Sequence, residues 1–454
     1  MATKEFPLLP RQVEPVKTKY RTICTQIPVP ESIALLEKLR DLEPRSMGGQ
    51  PPIIWDHGED FTVSDAYGNT WLDFSAGVLV TSSGHGRPEI IEAITNMANK
   101  GMYHAYCFPT EIRVKLVEKL TSLLPAPLRR VFLLTTGSEA TECCIKLART
   151  KGMQVGDEGK SVIVSFENGF HGRTMGSQLA GGSPALKSWI GDTDHRFVQV
   201  PFPDGFRQKD ISFEVFEKSL AEQGVEPQDV CGVMGETYQG CNATLLPVEY
   251  AQSLRKWCDA HEAVLIFDEV QAGFGRTGEW FGFMHYGIVP DLVACGKGFS
   301  GGMPASAVLG TEELMTMYGP GEMTSTHSAN PICSAAALAN LEVIEKENLV
   351  ANAAKLAPML AEGCEKIAQA SSGKVGCWAA TGLVGALQFT KAGTVEPDPE
   401  AAWEMVNQAI GKGVMLFAPV GIGGCAIKIN PPLTITAEAL GEGLAVLEEI
   451  AAGL

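Results

Sequence analysis

The chain has 454 residues, 45% hydrophobic and 20% charged, a globular balance too long for one simple core, so two domains or one large domain with a satellite are expected. Its formal net charge of −17 argues against nucleic acid or anionic membrane as the main partner, because both select basic surface. No apolar run reaches the roughly 18 residues that cross a bilayer, the first residues lack the apolar core of a signal peptide, and the 12 cysteines show no metal-like spacing, so a cytoplasmic protein with reduced thiols and no metal is expected.

Residues 1 to about 50 carry prolines at 7, 10, 15, 28 and 30, then a helix from Glu31 to Leu42 that Pro30 can start; the segment reads as an extended arm. Between residues 53 and 80, strand and turn alternate, with a turn at Asp65–Asn69 ahead of a β run at Thr70–Phe74. A helix follows over Glu89–Asn99. From 131 onward strand and helix repeat. The strands are Val131–Leu134, Ser161–Phe166, Phe197–Val200, Val230–Met234, Val264–Phe267, Leu292–Cys295 and Ser306–Leu309. Helices over Ala140–Thr150, Phe213–Gln223 and Glu249–His261 lie among them. Such alternation implies a mostly parallel, seven-stranded sheet covered by helices. After about 335 the texture changes to helices at Ala335–Glu347 and Val350–Ala370, strands near Gly382–Phe389 and Ala426–Ile429, and a terminal helix from Ala437 that Thr436 can cap. This is an α/β chain with a smaller α+β domain. The division expected is an arm and small-domain segment over 1–75, a large domain over 76–335 and a C-terminal small domain over 336–454.

In an open α/β sheet, ligands bind at the carboxyl ends of the strands. Asp268 stands at the tip of one strand and Lys297 just past another, between Gly296 and Gly298. Strand Val131–Leu134 runs into Thr135, Thr136, Gly137 and Ser138 and then a helix, where glycine permits close approach and the helix N-terminus seats an anion. The alternative is that Ser138 merely caps that helix. Phe170, His171 and Arg173 follow Ser161–Phe166 in a loop suited to a flat ligand with an anion, or else comprise a buried ring and a surface cation. Glu236 follows Val230–Met234, as a pocket acid or a structural ion-pair partner. A lysine whose charge is disfavoured forms Schiff bases, and an acid on a pyridinium nitrogen completes what pyridoxal phosphate needs. With the phosphate at Gly137 and Ser138, one ligand accounts for several separate features.

These blocks resemble the class III aminotransferases, of the fold-type I pyridoxal-phosphate enzymes. The resemblance runs from about residue 50 to the C-terminus. It is strongest from Leu265 to Gly278 and on through Pro290, Asp291 and Gly296–Gly298, with further matches at Thr135–Ala140, Phe170–Thr174, Ser325–Pro331 and Asn430–Leu433. It implies a large domain and a small one, pyridoxal 5'-phosphate as cofactor, and transamination by a ping-pong route through pyridoxamine phosphate. Lys297 would carry the Schiff base and shuttle the proton, Asp268 would pair with the ring nitrogen, and Gln271 would meet the phenolic oxygen. Phe170 would stack on the ring with His171 supporting it, and Gly137 and Ser138 would bind the phosphate. Thr326 would reach the phosphate of a neighbouring subunit, which implies a homodimer or a dimer of dimers. The N-terminal arm and Trp71–Val78 would line the substrate entrance.

Two departures bear on the substrate. Family members often carry Glu-Pro where this chain has Glu236 and Thr237. Many carry an arginine where this chain has Lys428, and lysine lacks the planar fork that grips a carboxylate bidentately. Arg173 matches a position that holds the distal carboxylate of an ω-amino acid in some members. The expected substrates are therefore an ω-amino acid or other terminal amine as donor and pyruvate or 2-oxoglutarate as acceptor, with Arg173, Glu236 and Lys428 binding them. A decarboxylase, racemase or aminomutase on the same fold is the competing enzyme reading, and a cofactor-binding protein without catalysis would have lost Lys297 or Asp268.

Overall fold

The computed structural model describes residues 5–156, 159–191 and 194–454. In chain order its strands are β1 (Val16–Lys17), β2 (Thr22–Ile23), β3 (His57–Glu59), β4 (Thr62–Ser64), β5 (Thr70–Asp73), β6 (Leu128–Leu134), β7 (Val162–Phe166), β8 (Phe197–Val200), β9 (Val230–Glu236), β10 (Val264–Asp268), β11 (Leu292–Cys295), β12 (Ser306–Thr311), β13 (Val375–Thr381), β14 (Val384–Phe389), β15 (Val414–Met415) and β16 (Ala426–Ile429). The chain divides into two compact units. One holds the described residues up to Arg87 with 241–243 and 352–454; the other holds the described residues of 88–240 and 244–351.

The second unit is built on the seven-stranded sheet that the alternation predicts, in the order β6-β12-β11-β10-β9-β7-β8. Pairing is parallel from β11 to β8, and β12 alone runs antiparallel to both its neighbours. β7, β9, β10 and β11 are buried throughout, as expected of near-continuous apolar runs covered on both faces. Strands β9 and β10 are in register with Glu236 opposite Asp268, so two carboxylates leave the sheet side by side. β11 ends at Cys295, and the chain turns back through Lys297 to start the antiparallel β12.

The helix read from Ala140 begins at Gly137 and runs to Gly156. The reason is a capping box: Thr136 Oγ1 accepts from the N–H of Glu139 at 3.2 Å, while the Glu139 carboxylate accepts from the N–H groups of Thr135 and Thr136, each at 2.9 Å. A helix over Glu111–Ser122, with Thr110 as its cap, was not evident from the sequence pattern.

In the first unit β1, β2, β5, β4 and β3 form one sheet, with β15 beside β5, and β13-β14-β16 form an antiparallel sheet. The N-terminal arm is fastened within this unit. Thr18 and Arg21 both donate to Glu442 at 2.6 Å, and Tyr20 and Lys19 both reach Glu438 at 2.6 Å, on the helix Ala437–Gly453. Thr436 caps that helix as read from the sequence, accepting from the N–H of Ala439. β13 and the helix Pro399–Gly411 are further elements that the sequence reading did not mark.

The expectation that Trp71–Val78 lines a substrate entrance narrows. Trp71 is wholly buried and its Nε1 donates to the carbonyl of Ile410 at 2.8 Å, so it belongs to the core. Ser75, Gly77 and Val78 do line an open groove of about 440 Å³, with Ile53, Trp55 and Phe417.

Candidate active site

The carboxyl ends of five strands of the seven-stranded sheet, with the turns that follow them, close on a pocket of about 170 Å³ in the second unit. Gly137 and Ser138 come from the first turn of the helix after β6, Phe170, His171 and Gly172 from the loop after β7, Glu236 from the end of β9, Asp268 from the end of β10 with Val270 and Gln271 just after it, and Lys297 from the turn after β11.

The loop after β6 is set by the capping box. Because Thr136 is the cap, the alternative role for Ser138 falls away: its hydroxyl faces the loop after β7, within 3.4 Å of the Arg173 N–H. Gly137 is required for proximity, since a Cβ there would come within 2.9 Å of Val270 Cγ1. The helix thus presents its first N–H groups to the pocket, an anion seat by geometry and dipole.

The loop after β7 is anchored to the same helix. Thr141 Oγ1 donates to the carbonyl of His171 at 2.7 Å. Glu142 accepts from the Thr174 hydroxyl at 2.6 Å and from the N–H groups of Gly176 and Ser177 at 2.8 and 3.1 Å, which starts the short helix Met175–Ala180. Glu142 has no sequence signal, because the groups it serves lie more than thirty residues away. Phe170 is partly exposed, as a ring lining an open pocket must be, and the Arg173 guanidinium lies 5.6 Å from its centroid.

His171 pairs with an acid. It is buried, and its Nδ1 lies 2.8 Å from Asp268 Oδ2. Burial alone would lower its proton affinity, but the hydrogen bond and charge of Asp268 outweigh it, with Glu236 adding to them, and the net direction is upward. Asp268 Oδ1 accepts from the N–H of Val270 at 3.0 Å, so the carboxylate is held at both oxygens. Glu236 accepts from the N–H groups of Phe170 at 3.0 Å and Gly240 at 2.9 Å. Burial nevertheless pushes its carboxyl up to about 7; His171 and these two N–H groups pull down, while Asp268 pushes up.

Lys297 occupies the left-handed backbone region at φ 45°. The turn is fixed by Asn340, whose Nδ2 donates to the carbonyls of Gly298 and Phe299 at 3.0 Å each. Burial lowers the pKa of its amine, against the attraction of Asp268 and Glu236. An amine that gives up its proton more readily than usual is what nucleophilic lysine chemistry requires.

Pyridoxal phosphate fits these residues. Gln271 Oε1 is buried without a hydrogen-bond partner, so an acceptor inside the pocket awaits a donor. A helix N-terminus offers N–H donors, a two-point-held carboxylate faces a lysine of lowered pKa, and a ring of Phe170 forms one wall. Among the described residues, no group of His, Cys, Asp and Glu could hold a metal ion.

Three residues expected at the site, Arg173, Thr326 and Lys428, do not line this pocket. Arg173 is exposed next to Gly172. Thr326 is exposed in the turn before the helix Pro331–Lys346 and is not part of this pocket wall. Lys428 is buried on β16 of the first unit, in register with Ala386.

A mostly parallel sheet with lysine, aspartate and an anion seat at its carboxyl edge defines a pyridoxal-phosphate-dependent transferase. The Aminotransferase class-III profile matches residues 46–451. The chain is 31% identical to a 4-aminobutyrate aminotransferase of Mycobacterium leprae over 95% of this chain and 98% of that one. It is 34% identical to a 2-aminoadipate transaminase of Pseudomonas putida over 89% and 96%. An amine transaminase structure from an uncultivated Pseudomonas species, in its PLP-bound form, superposes with a TM-score of 0.80 at 28% identity, covering 88% of this chain and 94% of that one. The chain belongs to the class III aminotransferase family, and it is a pyridoxal-phosphate-dependent enzyme.

Proposed function

We propose that the enzyme moves the amino group of an ω-amino acid or other terminal amine to a 2-oxo acid, pyruvate or 2-oxoglutarate, in two half-reactions. The observation that carries this reading is the shared pocket of Lys297, Asp268 and Glu236, with the exposed Arg173 guanidinium 5.6 Å from the ring of Phe170, which lines it. Bound pyridoxal phosphate supplies an electron sink for charge developing at the substrate carbon. Gly137 and Ser138 would hold its phosphate, Asp268 its ring nitrogen, Gln271 its phenolic oxygen and Phe170 its face. His171 orients Asp268 and, through it, the ring. Lys297 would hold the cofactor between turnovers. Its amine would carry the proton between the amine-bearing carbon of the substrate and the cofactor, and its lowered pKa keeps a larger neutral fraction for that task.

Arg173 carries a guanidinium suited to a carboxylate at the far end of an ω-amino acid. The 4-aminobutyrate aminotransferase among the relatives acts on such a compound, which supports this donor class. Lys428, as a point charge in place of the arginine fork, is proposed to weaken the preference for dicarboxylate acceptors. The expected assembly is a homodimer, or a dimer of such dimers, in which Thr326 serves the neighbouring subunit. The expected compartment is the cytoplasm, in keeping with cysteines that are all free thiols.

One experiment tests the reading. Purified protein should be yellow, and borohydride should fix the cofactor to Lys297 and not to a Lys297→Ala variant. An amine-donor panel against pyruvate and 2-oxoglutarate, run on the parent and on Lys428→Arg, then reads the substrates. Terminal amines should convert the cofactor spectrum, and Lys428→Arg should gain kcat/KM on 2-oxoglutarate. A panel in which no terminal amine reacts would remove the donor assignment, and no gain would remove the role of Lys428.

A further inference from the structure

Behind the pocket, the ends of β9 and β10 are joined by a buried pair that does not line it. Glu236 and Asp268 are opposite one another in register, and the next residues, Thr237 and Glu269, are wholly buried and line no part of the pocket. The Thr237 hydroxyl donates to Glu269 Oε1. Glu269 takes two more donors, the N–H of Gly282 at 2.9 Å and that of Phe283 at 2.8 Å. The Thr237 carbonyl accepts from the hydroxyl of Tyr286. The methyl of Thr237 lies close against Gly282, where an added Cβ would come within 2.7 Å of Thr237 Cγ2. Proline at this position would have no hydroxyl to offer.

We propose that Thr237 is a positioning residue: its hydroxyl holds Glu269 as a carboxylate behind Asp268 and keeps the ends of β9 and β10 in the register that brings Glu236 and Asp268 to one pocket. The catalytic consequence rests on reading that pocket as the transamination site. The structural lock does not.

The lock is sensitive because Glu269 is close to balance. Burial pushes its carboxyl up to about 7, while Thr237, Gly282 and Phe283 hold it down and Asp268 raises it. The other titratable groups that face it are Cys295 from β11, Tyr286 from the segment after Gly282, and Tyr238, which itself faces Arg276. The two N–H donors are backbone and stay in any variant. The hydroxyl is the donor that a substitution removes.

Thr237→Val keeps the shape and deletes that donor, and should move the Glu269 titration upward by about one pH unit, the scale of one hydrogen bond to a charged group. A carboxyl whose folded-state value lies above its unfolded value of 4.5 stabilises the fold at low pH, and that stability is lost as pH rises through the folded-state value. Raising the folded-state value prolongs the loss. The deficit in unfolding midpoint of the Thr237→Val holoenzyme against its parent should therefore be constant below about pH 6.5 and widen up to about pH 8.5. Thr237→Ser, which keeps a hydroxyl, should show no widening. kcat should fall about tenfold in Thr237→Val with KM changed less than twofold, and recover in Thr237→Ser. Glu269→Gln should flatten the pH dependence in the same window, whether or not Thr237→Val folds. A deficit equal at every pH, equal widening in both threonine variants, or an unaltered curve in Glu269→Gln would overturn the proposal. If the cofactor assignment were wrong, the parent would lack the cofactor's absorbance, and the unfolding series could still be read.

Discussion

Three carboxylates crowd the ends of β9 and β10, and they do different work because their surroundings differ. All three are buried and held at both oxygens; Asp268 faces Lys297 and His171, and burial pushes Glu236 and Glu269 up to about 7. For Glu236 the sign can be worked out. Its folded-state value of about 7 lies above 4.5, so the folded chain binds that proton more tightly than the unfolded chain, and the stability this gives is lost as pH rises from 4.5 through about 7. Glu236→Gln removes the titration but turns an amide N–H₂ toward a backbone donor, either Phe170 or Gly240. The variant should be less stable than the parent at pH 5, and that gap should shrink by pH 8. Unfolding midpoints across that range measure it, and a gap independent of pH would show that Glu236 does not titrate in the window. Asp268 and Lys297 were legible in the sequence because a strand end is itself a positional cue. Glu269 and its partner Thr237 were not. The N–H groups that Glu269 accepts lie 13 and 14 residues on, and no local pattern encodes such a pairing.

A whole element can hide in the same way. Residues 76–79 form a left-handed helical turn, with φ of 48° at Ala76, 57° at Gly77, 64° at Val78 and 63° at Leu79. Its hydrogen bonds are helical in spacing, from Leu79 N–H to the Ser75 carbonyl at 2.9 Å and from Val80 N–H to the Ala76 carbonyl at 2.8 Å. Left-handed backbone costs an L-residue roughly 1–2 kcal/mol, and β-branched valine is among the least suited. The turn persists because its entry is pinned. Asp73 Oδ1 accepts from the N–H groups of Ser75 and Ala76 and from the Ser75 hydroxyl, and Asn430 Nδ2 donates to the Ser75 carbonyl at 2.6 Å. One glycine in four residues gives no signal of this, whereas the central strands announce themselves by unbroken apolar runs. Val78 is 41% exposed, so its side chain contributes little burial. Val78→Gly should therefore stabilise the fold by about 1 kcal/mol, the relief of one left-handed residue partly offset by glycine's greater freedom when unfolded. Urea titration of the two proteins checks it. Ala76→Gly should gain nothing, because it also removes a fully buried methyl worth about 0.8 kcal/mol. A Val78→Gly protein no more stable than its parent would mean that the turn carries no such strain.

At the scale of the whole molecule, the surface of the second unit bears on the dimer proposed above. Tyr103 and Phe108 are 62% and 75% exposed in the segment before the helix Glu111–Ser122, and Met102 and Val114 lie exposed beside them in sequence. The Tyr103 carbonyl accepts from Asn330, and Tyr106 bonds Thr324, so this apolar segment is tied to the turn that carries Thr326. Apolar residues clustered on one surface are the mark of an interface. If that interface is a two-fold contact between identical chains, each Thr326 is delivered to the other subunit, and a site can be assembled from halves of two damaged proteins. Lys297→Ala should abolish turnover, and Thr326→Ala should weaken cofactor binding about tenfold by loss of a hydrogen bond to a charged phosphate. In a mixed dimer of the two variants, one site has neither intact part, while the other combines an intact Lys297 with the intact Thr326 of its neighbour. Co-expressed and separated by two affinity tags, the mixed dimer should bind half an equivalent of cofactor per chain at parental affinity and turn over at half the parental rate. If Thr326 served its own subunit instead, the Lys297-bearing site would always carry the alanine, and no fraction of the mixed dimer would recover parental affinity.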